Sequence, residues 1–107
     1  MSDLNLNEKT FFAIDDLIQD YFPEVDEDTF YEDFTLDKLK ELCGDKKFII
    51  LNLTDGVPIS PKEFDIIDAI NFIEEFPKRF ERQGHYTTSR GEMIPPSSIR
   101  YEFRLLQ

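Results

Sequence analysis

Six consecutive residues, Phe48-Ile49-Ile50-Leu51-Asn52-Leu53, constrain the fold of this chain more than any others. They carry large and β-branched apolar side chains without polar alternation, the pattern of a strand covered on both faces, so layers are needed on either side of them. Ile50 and Leu51 are therefore predicted to point to opposite sides of a sheet, both buried. After the turn dipeptide Asp55-Gly56 comes Ser60-Pro61-Lys62-Glu63. This tetrad predicts a helix start, with Ser60 as cap, Pro61 at the first position and Glu63 reaching back to close a capping box. In the helix predicted from Pro61, Phe64, Ile67, Ile70 and Ile73 make one stripe, and Ile66, Phe72 and Phe76 widen it until burial on more than one side is implied. Pro77 ends the helix near Phe76, and Lys78 to Gln83 add a basic turn or two around Phe80 before Gly84.

The flanks supply the partners. Asn7-Glu8-Lys9-Thr10 predicts a helix start, after which Phe11, Ile14, Leu17, Ile18, Tyr21 and Phe22 recur on one face until Pro23, with Asp15, Asp16, Gln19 and Asp20 opposite. Thr35 is the expected cap of a short helix that turns Leu36, Leu39, Leu42 and Cys43 inward and stops at Gly44. In the tail, His85-Tyr86-Thr87-Thr88-Ser89 has strand composition, Arg90-Gly91 and Ile94 to Ser98 read as turn and loop, and Ile99 to Leu105 alternates as a half-buried strand with one wet face. The expected fold class is α+β. Residues 1–107 form one domain with a mostly antiparallel sheet of about three strands, 47–54, 85–89 and 99–106, packed against two longer helices and one short one. With eleven Phe, four Tyr and no Trp, the core is expected to be rich in Phe.

Several function classes find no support in this pattern. The single Cys43 allows neither an intrachain disulfide nor a cysteine zinc cluster, and no apolar run approaches the ~20 residues that span a bilayer. No signal-peptide pattern is present, and the expected location is cytoplasmic, with Asn52-Leu53-Thr54 a chance glycosylation sequon at the end of a buried strand. The one His85 and the one Cys43 stand far apart with no catalytic or phosphate-cradling motif around either, so His85 reads as a strand-start residue, Cys43 as a small apolar one, and the protein as a non-enzyme without metal or cofactor. Asp26-x-Asp28 opens like a calcium loop, but Phe30, Tyr31 and Asp37 stand where that loop needs an oxygen ligand, Gly and Glu.

Charge carries the functional reading. The formal net charge is −11 and it is unevenly spread: residues 1–36 hold eleven acids against one base, whereas residues 77–107 hold three acids against six bases. Packing of the two regions is expected to cancel part of this asymmetry internally. The densest acidic stretch is Glu24-Val25-Asp26-Glu27-Asp28-Thr29-Phe30-Tyr31-Glu32-Asp33-Phe34. Its plain reading is a solubilising loop that folds Phe30 and Phe34 into the core. Its sharper reading is a recognition surface in which Glu24, Asp26, Glu27, Asp28, Glu32 and Asp33 meet a cationic partner while Phe30, Tyr31 or Phe34 anchors the contact. That reading makes the chain a small acidic protein-binding inhibitor that occludes the nucleic-acid-binding site of a nuclease or other effector, a class that includes phage anti-defence and toxin-neutralising immunity proteins of this size and charge. The expected partner is a basic protein, with no membrane and no direct nucleic-acid contact. The alternative is a structural or assembly module that forms a homodimer by edge-to-edge pairing of the strand at Ile99 to Leu105. More remote is an enzyme, or a single-stranded nucleic-acid binder using Lys78, Arg79, Arg82, Arg90, Arg100 and Arg104, which a body of −11 would oppose. Arg79, Arg82 and Arg90 are the alternative partner-binding residues.

Overall fold

The computed structural model describes residues 6–106. Its central strand, β1 (Phe48–Asn52), lies between β2 (Val57–Pro58) and β5 (Tyr101–Leu105), antiparallel to both. Phe48 faces Leu105, Ile50 faces Phe103 and Asn52 faces Tyr101, so a single register sets a row of large side chains on one side of the sheet. Phe48, Ile50, Leu51, Tyr101 and Phe103 are buried, as the uninterrupted run and the alternating tail predicted. Arg104 stands on the wet side of β5, and Arg100 is exposed just before it.

Among the described residues four helices complete the fold: α1 (Glu8–Tyr21), α2 (Glu27–Glu32), α3 (Leu36–Cys43) and α4 (Ile66–Glu75), the last continued by a 3-10 turn (Phe76–Phe80). The α+β class is that expected. Asn7 caps α1 by accepting from the Lys9 N–H at 2.8 Å, and Thr35 caps α3 by accepting from the Lys38 N–H at 3.2 Å. Gly44 closes α3 with φ 61°, a conformation that costs a side chain but not glycine. Leu39 and Cys43 are buried, and burial pushes the Cys43 thiol up to about 11, consistent with a small apolar residue. A partly buried tie joins the two long helices: Thr10 donates its hydroxyl to Glu74, whose Oε2 also accepts the Asn7 N–H at 2.9 Å.

Two expectations are corrected. Ser60 does not cap a helix; α4 begins five residues after Pro61, with Asp65 accepting from the Asp68 N–H at 2.8 Å. The reason is competition from the sheet. Ile59 N–H donates to Ile50 at 3.0 Å, and Phe64 and Phe48 exchange both backbone hydrogen bonds at 2.8 Å, so residues 57–64 run beside β1 as an interrupted edge. Pro58 and Pro61 suit such an edge, whereas a helix from Pro61 would have taken Phe64 out of it. Ser60 instead forms a local turn by accepting from the Lys62 N–H at 3.2 Å.

The second correction concerns the tail. The segment predicted as a sheet strand at 85–89 contributes β3 (Tyr86–Thr87), which pairs only with β4 (Met93–Ile94) in a separate small hairpin. Local turn chemistry decides this. Thr88 Oγ accepts from the N–H groups of Arg90 and Glu92 at 3.3 and 3.2 Å, and Gly91 sits at φ 84°. Asp55 then fastens this turn to the one after β1, accepting from Ser89 N–H at 3.0 Å and Ser89 Oγ at 2.6 Å, bonds that hold its carboxyl below the usual range. The outer edge of β5 is left to α1, whose Tyr21 hydroxyl accepts from the Leu105 N–H at 3.3 Å. Asn52 of the sequon is buried, with Oδ1 accepting from the Thr54 N–H at 2.9 Å, which closes it to glycosylation in the folded chain.

Candidate functional site

Within residues 24–34, Asp26 to Asp33 are a short helix and its caps rather than a loop. Asp26 is the N-cap of α2: Oδ1 accepts from the Asp28 N–H at 3.1 Å and Oδ2 from the Thr29 hydroxyl at 3.0 Å. Helical spacing then sorts the stretch by face. Phe30 is 8% and Phe34 6% exposed, so neither is available as an anchor, in agreement with the plain reading of those two rings. Phe30 lies 5.3 Å from Tyr31 and 5.6 Å from Phe34 between ring centroids, and Phe34 lies 5.7 Å from Phe11 of α1. Tyr31 is half-buried, and Glu24, Asp28, Glu32 and Asp33 are exposed, with Glu27 between these states.

The carboxylates of the stretch are not equivalent. Asp33 accepts from Lys38 Nζ at 2.9 Å, and that bond holds its carboxyl below the ordinary range. Lys38 also donates to the Phe30 carbonyl at 3.0 Å and lies 5.3 Å from the centre of the Phe30 ring. Asp26 is committed to its helix and Asp33 to its lysine. Glu24, Glu27, Asp28 and Glu32 have no ion-pair partner among the described residues.

Helix α1 adds residues that the sequence reading left out of the site. Tyr31 donates its hydroxyl to Asp15 Oδ1 at 3.3 Å, and burial, then the Asp15 charge, keep the phenol protonated far above its usual range. Glu27 comes close enough to Asp15 to share a hydrogen bond, and this contact, with partial burial and the Asp15 charge, raises the Glu27 carboxyl above its ordinary value. Desolvation and the neighbouring Asp20 and Asp15 raise Asp16 likewise. Phe12 is 48% exposed and, with Phe11, Asp15 and Tyr31, lines a shallow depression of about 250 Å³. The signal was available in the sequence: Phe12 is the one ring of α1 that does not fit its buried stripe.

The basic residues are disposed differently. Arg79, Arg82 and Arg90 are exposed, Arg79 on the 3-10 turn and Arg90 in the β3–β4 turn. The Arg79 guanidinium lies 5.2 Å from the Phe72 ring centre and 5.5 Å from that of Phe76. The expected internal cancellation of charge takes the form of proximity rather than contact: the Arg100 charge favours the ionised form of Asp16 across the packing of α1 on β5, but no direct ion pair joins the two regions among the described residues. The ion pairs there are Asp33 with Lys38, Glu75 with Lys78 and Glu102 with Arg104, each between residues near in sequence. Among the described residues no helix is long and apolar enough to cross a membrane, and no group of three or more His, Cys, Asp or Glu is arranged to hold a metal ion. Compared with protein-family models, with curated proteins and with solved structures, the chain matches none.

Proposed function

We propose that this protein is a non-enzymatic, cytoplasmic inhibitor that binds a basic protein partner and covers the site where that partner would hold nucleic acid. The observation that carries the reading is the face shared by α1 and α2. There an exposed ring, Phe12, and a half-buried one, Tyr31, line a depression with Asp15; Glu27 of α2 is crowded against Asp15, and Asp28 and Glu32 are exposed on the same short helix. Like charges held together without a counterion are relieved by an incoming Arg or Lys, and the rings give a contact that outlasts electrostatic encounter. The anchor is thus assigned to Phe12 and Tyr31, replacing Phe30 and Phe34. Phage anti-defence and toxin-immunity proteins are the kinds of molecule that have this size and charge, and in this reading the carboxylates stand in for phosphates.

The test is affinity capture from lysate at about 50 and 300 mM salt, followed by binding kinetics on the captured protein, with nucleic acid as competitor. Asp15→Asn/Glu27→Gln/Asp28→Asn should slow association and flatten its salt dependence, and Phe12→Ala should speed dissociation. Parental kinetics in both variants, or a complex that nucleic acid does not displace, would refute the reading. The alternative, a homodimer through β5, rests on that strand's position at the edge of the sheet. Against it stand the Tyr21 hydroxyl on the Leu105 N–H and the charged Glu102 and Arg104. Light scattering decides between them.

A further inference from the structure

The first turn of α1, the end of α4 and the 3-10 turn before β5 (Pro96–Ser98) enclose a cleft of about 570 Å³. That volume lies within the range of small-molecule sites. Ile73, Pro77, Pro96 and Ile99 give it apolar walls. Tyr101 also lines it, is 3% exposed, and has a hydroxyl that is buried without a hydrogen-bond partner among the described residues. A buried phenol nearly always finds a partner, and leaving one unsatisfied destabilises the unliganded fold.

The charges at the cleft select the ligand. Glu8 and Glu81 line it against the single cation Lys9, and Glu74 reaches it from α4 through its bonds to the Asn7 N–H and the Thr10 hydroxyl, both lining residues. Glu74 thereby occupies the anion position that the N-terminus of α1 offers. An added anion would meet three carboxylates instead of free helix N–H groups. What remains unmatched is an apolar channel, one hydroxyl and an excess of negative charge.

We propose that this cleft binds a primary alkylammonium group, its methylenes against the Ile73, Pro77, Pro96 and Ile99 walls and its N–H donating to Tyr101 Oη in the field of Glu74. The group belongs either to a free polyamine or to a lysine side chain of a protein. The site is separate from the α1/α2 face, so failure at one leaves the other standing.

The experiment is calorimetric titration of the full chain at about 150 mM salt, which screens non-specific attraction to the acidic surface. Spermidine and N-acetyl-lysine methylamide are titrated separately, with magnesium as the counterion control. Saturable one-to-one binding of spermidine, not reproduced by magnesium, is expected. Tyr101→Phe should weaken it about 3- to 10-fold while raising the Tm of the unliganded protein by a few degrees, because the orphaned hydroxyl is gone. Ser97→Trp, which fills the cleft from an exposed lining position, should abolish binding with the fold retained. Saturable binding of the lysine derivative alone would support the site and assign it to a protein lysine. Non-saturating uptake that is the same in parent, Tyr101→Phe and Ser97→Trp would overturn the proposal, the amine then being only a counterion.

Discussion

The two groups of aromatic rings in this molecule differ in what covers their faces. Phe11, Phe30, Tyr31 and Phe34 gather between α1 and α2, whereas Phe64, Phe72, Phe76, Phe80, Tyr86 and Tyr101 gather around the end of α4, and among the described residues no ring pair joins the groups. In the second group Phe76 is the hub, 5.2 to 6.3 Å from Phe80, Phe72, Tyr86 and Tyr101, and the protein's own Arg79 lies over Phe72 and over the hub ring itself. Beside the first group Phe12 stays exposed and the surrounding acids are mostly unpaired. On the basic side Arg79 is held over rings of its own protein, while Arg82 and Arg90 are exposed with no exposed ring shown beside them among the described residues. The acidic side is left open, which is why the proposed partner is placed there and not at Arg79, Arg82 and Arg90.

The largest expected effect separates hub from rim. Phe76→Ala should cost about 3 to 5 kcal/mol in urea unfolding, by lost transfer energy plus a cavity, whereas Phe12→Ala should change stability by no more than about 0.5 kcal/mol. Ile50→Ala, at the centre of β1, belongs with the hub at about 2 to 5 kcal/mol. A Phe12→Ala cost comparable to that of Phe76→Ala would make Phe12 a core residue and remove the anchor from the proposed face.

Elements with a strong local signal were legible in the sequence, and those decided by competition were not. The run at Phe48, the caps Asn7 and Thr35, the stop at Gly44 and the alternation in β5 depend on nearest neighbours, and each is where the residues placed it. Ser60-Pro61-Lys62-Glu63 carried an equally good local signal and failed, because β1 needed a hydrogen-bonded neighbour at Phe64 and Asp65 offered a substitute cap. The 85–89 strand failed because Thr88 and Gly91 close a turn too tight to reach β5. For the site, the acidic stretch was visible as composition, but its division into helix cap, lysine partner and unpaired acids is a matter of helical phase. The share of α1 in that face, through Phe12 and Asp15, depends on how α1 and α2 pack, which spacing within either helix does not encode.

A smaller effect tests what orders each group. Asp65→Ala removes the cap of α4, which carries Phe72 and leads into Phe76, and Asp26→Ala removes the cap of α2; each should cost about 0.5 to 2 kcal/mol. The consequences should differ in extent. Hydrogen exchange is expected to rise only within residues 27–32 for Asp26→Ala, because so short a helix frays without its cap, whereas Asp65→Ala should lower protection across the sheet as well. Ser60→Ala should cost less than Asp65→Ala; equal costs would restore the capping box. Smaller again is Arg79→Ala, at about 0.5 to 1 kcal/mol for an exposed cation over a ring. Arg82→Ala serves as its control.

The smallest effect is also the most specific to the open face. Glu27 and Asp33 both border α2, yet their carboxyls are displaced in opposite directions, Glu27 upward from 4.5 chiefly by its contact with Asp15 and Asp33 downward from 3.8 chiefly by its bond to Lys38. A carboxyl raised in the folded state favours folding below its unfolded value, and that contribution is lost as pH rises through the folded one. A lowered carboxyl favours folding above its unfolded value, and its contribution is lost as pH falls through the folded one. Acidification from neutrality should therefore first relieve the Asp15 and Glu27 crowding and raise Tm slightly as pH approaches 4.5, and only below 3.8 should loss of the Asp33 and Lys38 pair contribute a fall. In Glu27→Gln the early rise should be absent and Tm at neutral pH slightly higher than in the parent, while in Asp33→Asn the early rise should persist. If the parent's Tm falls monotonically from neutral pH and Glu27→Gln follows the same curve, the two carboxyls are not crowded in solution. The relief that a cationic partner was proposed to bring would then have no source at this face.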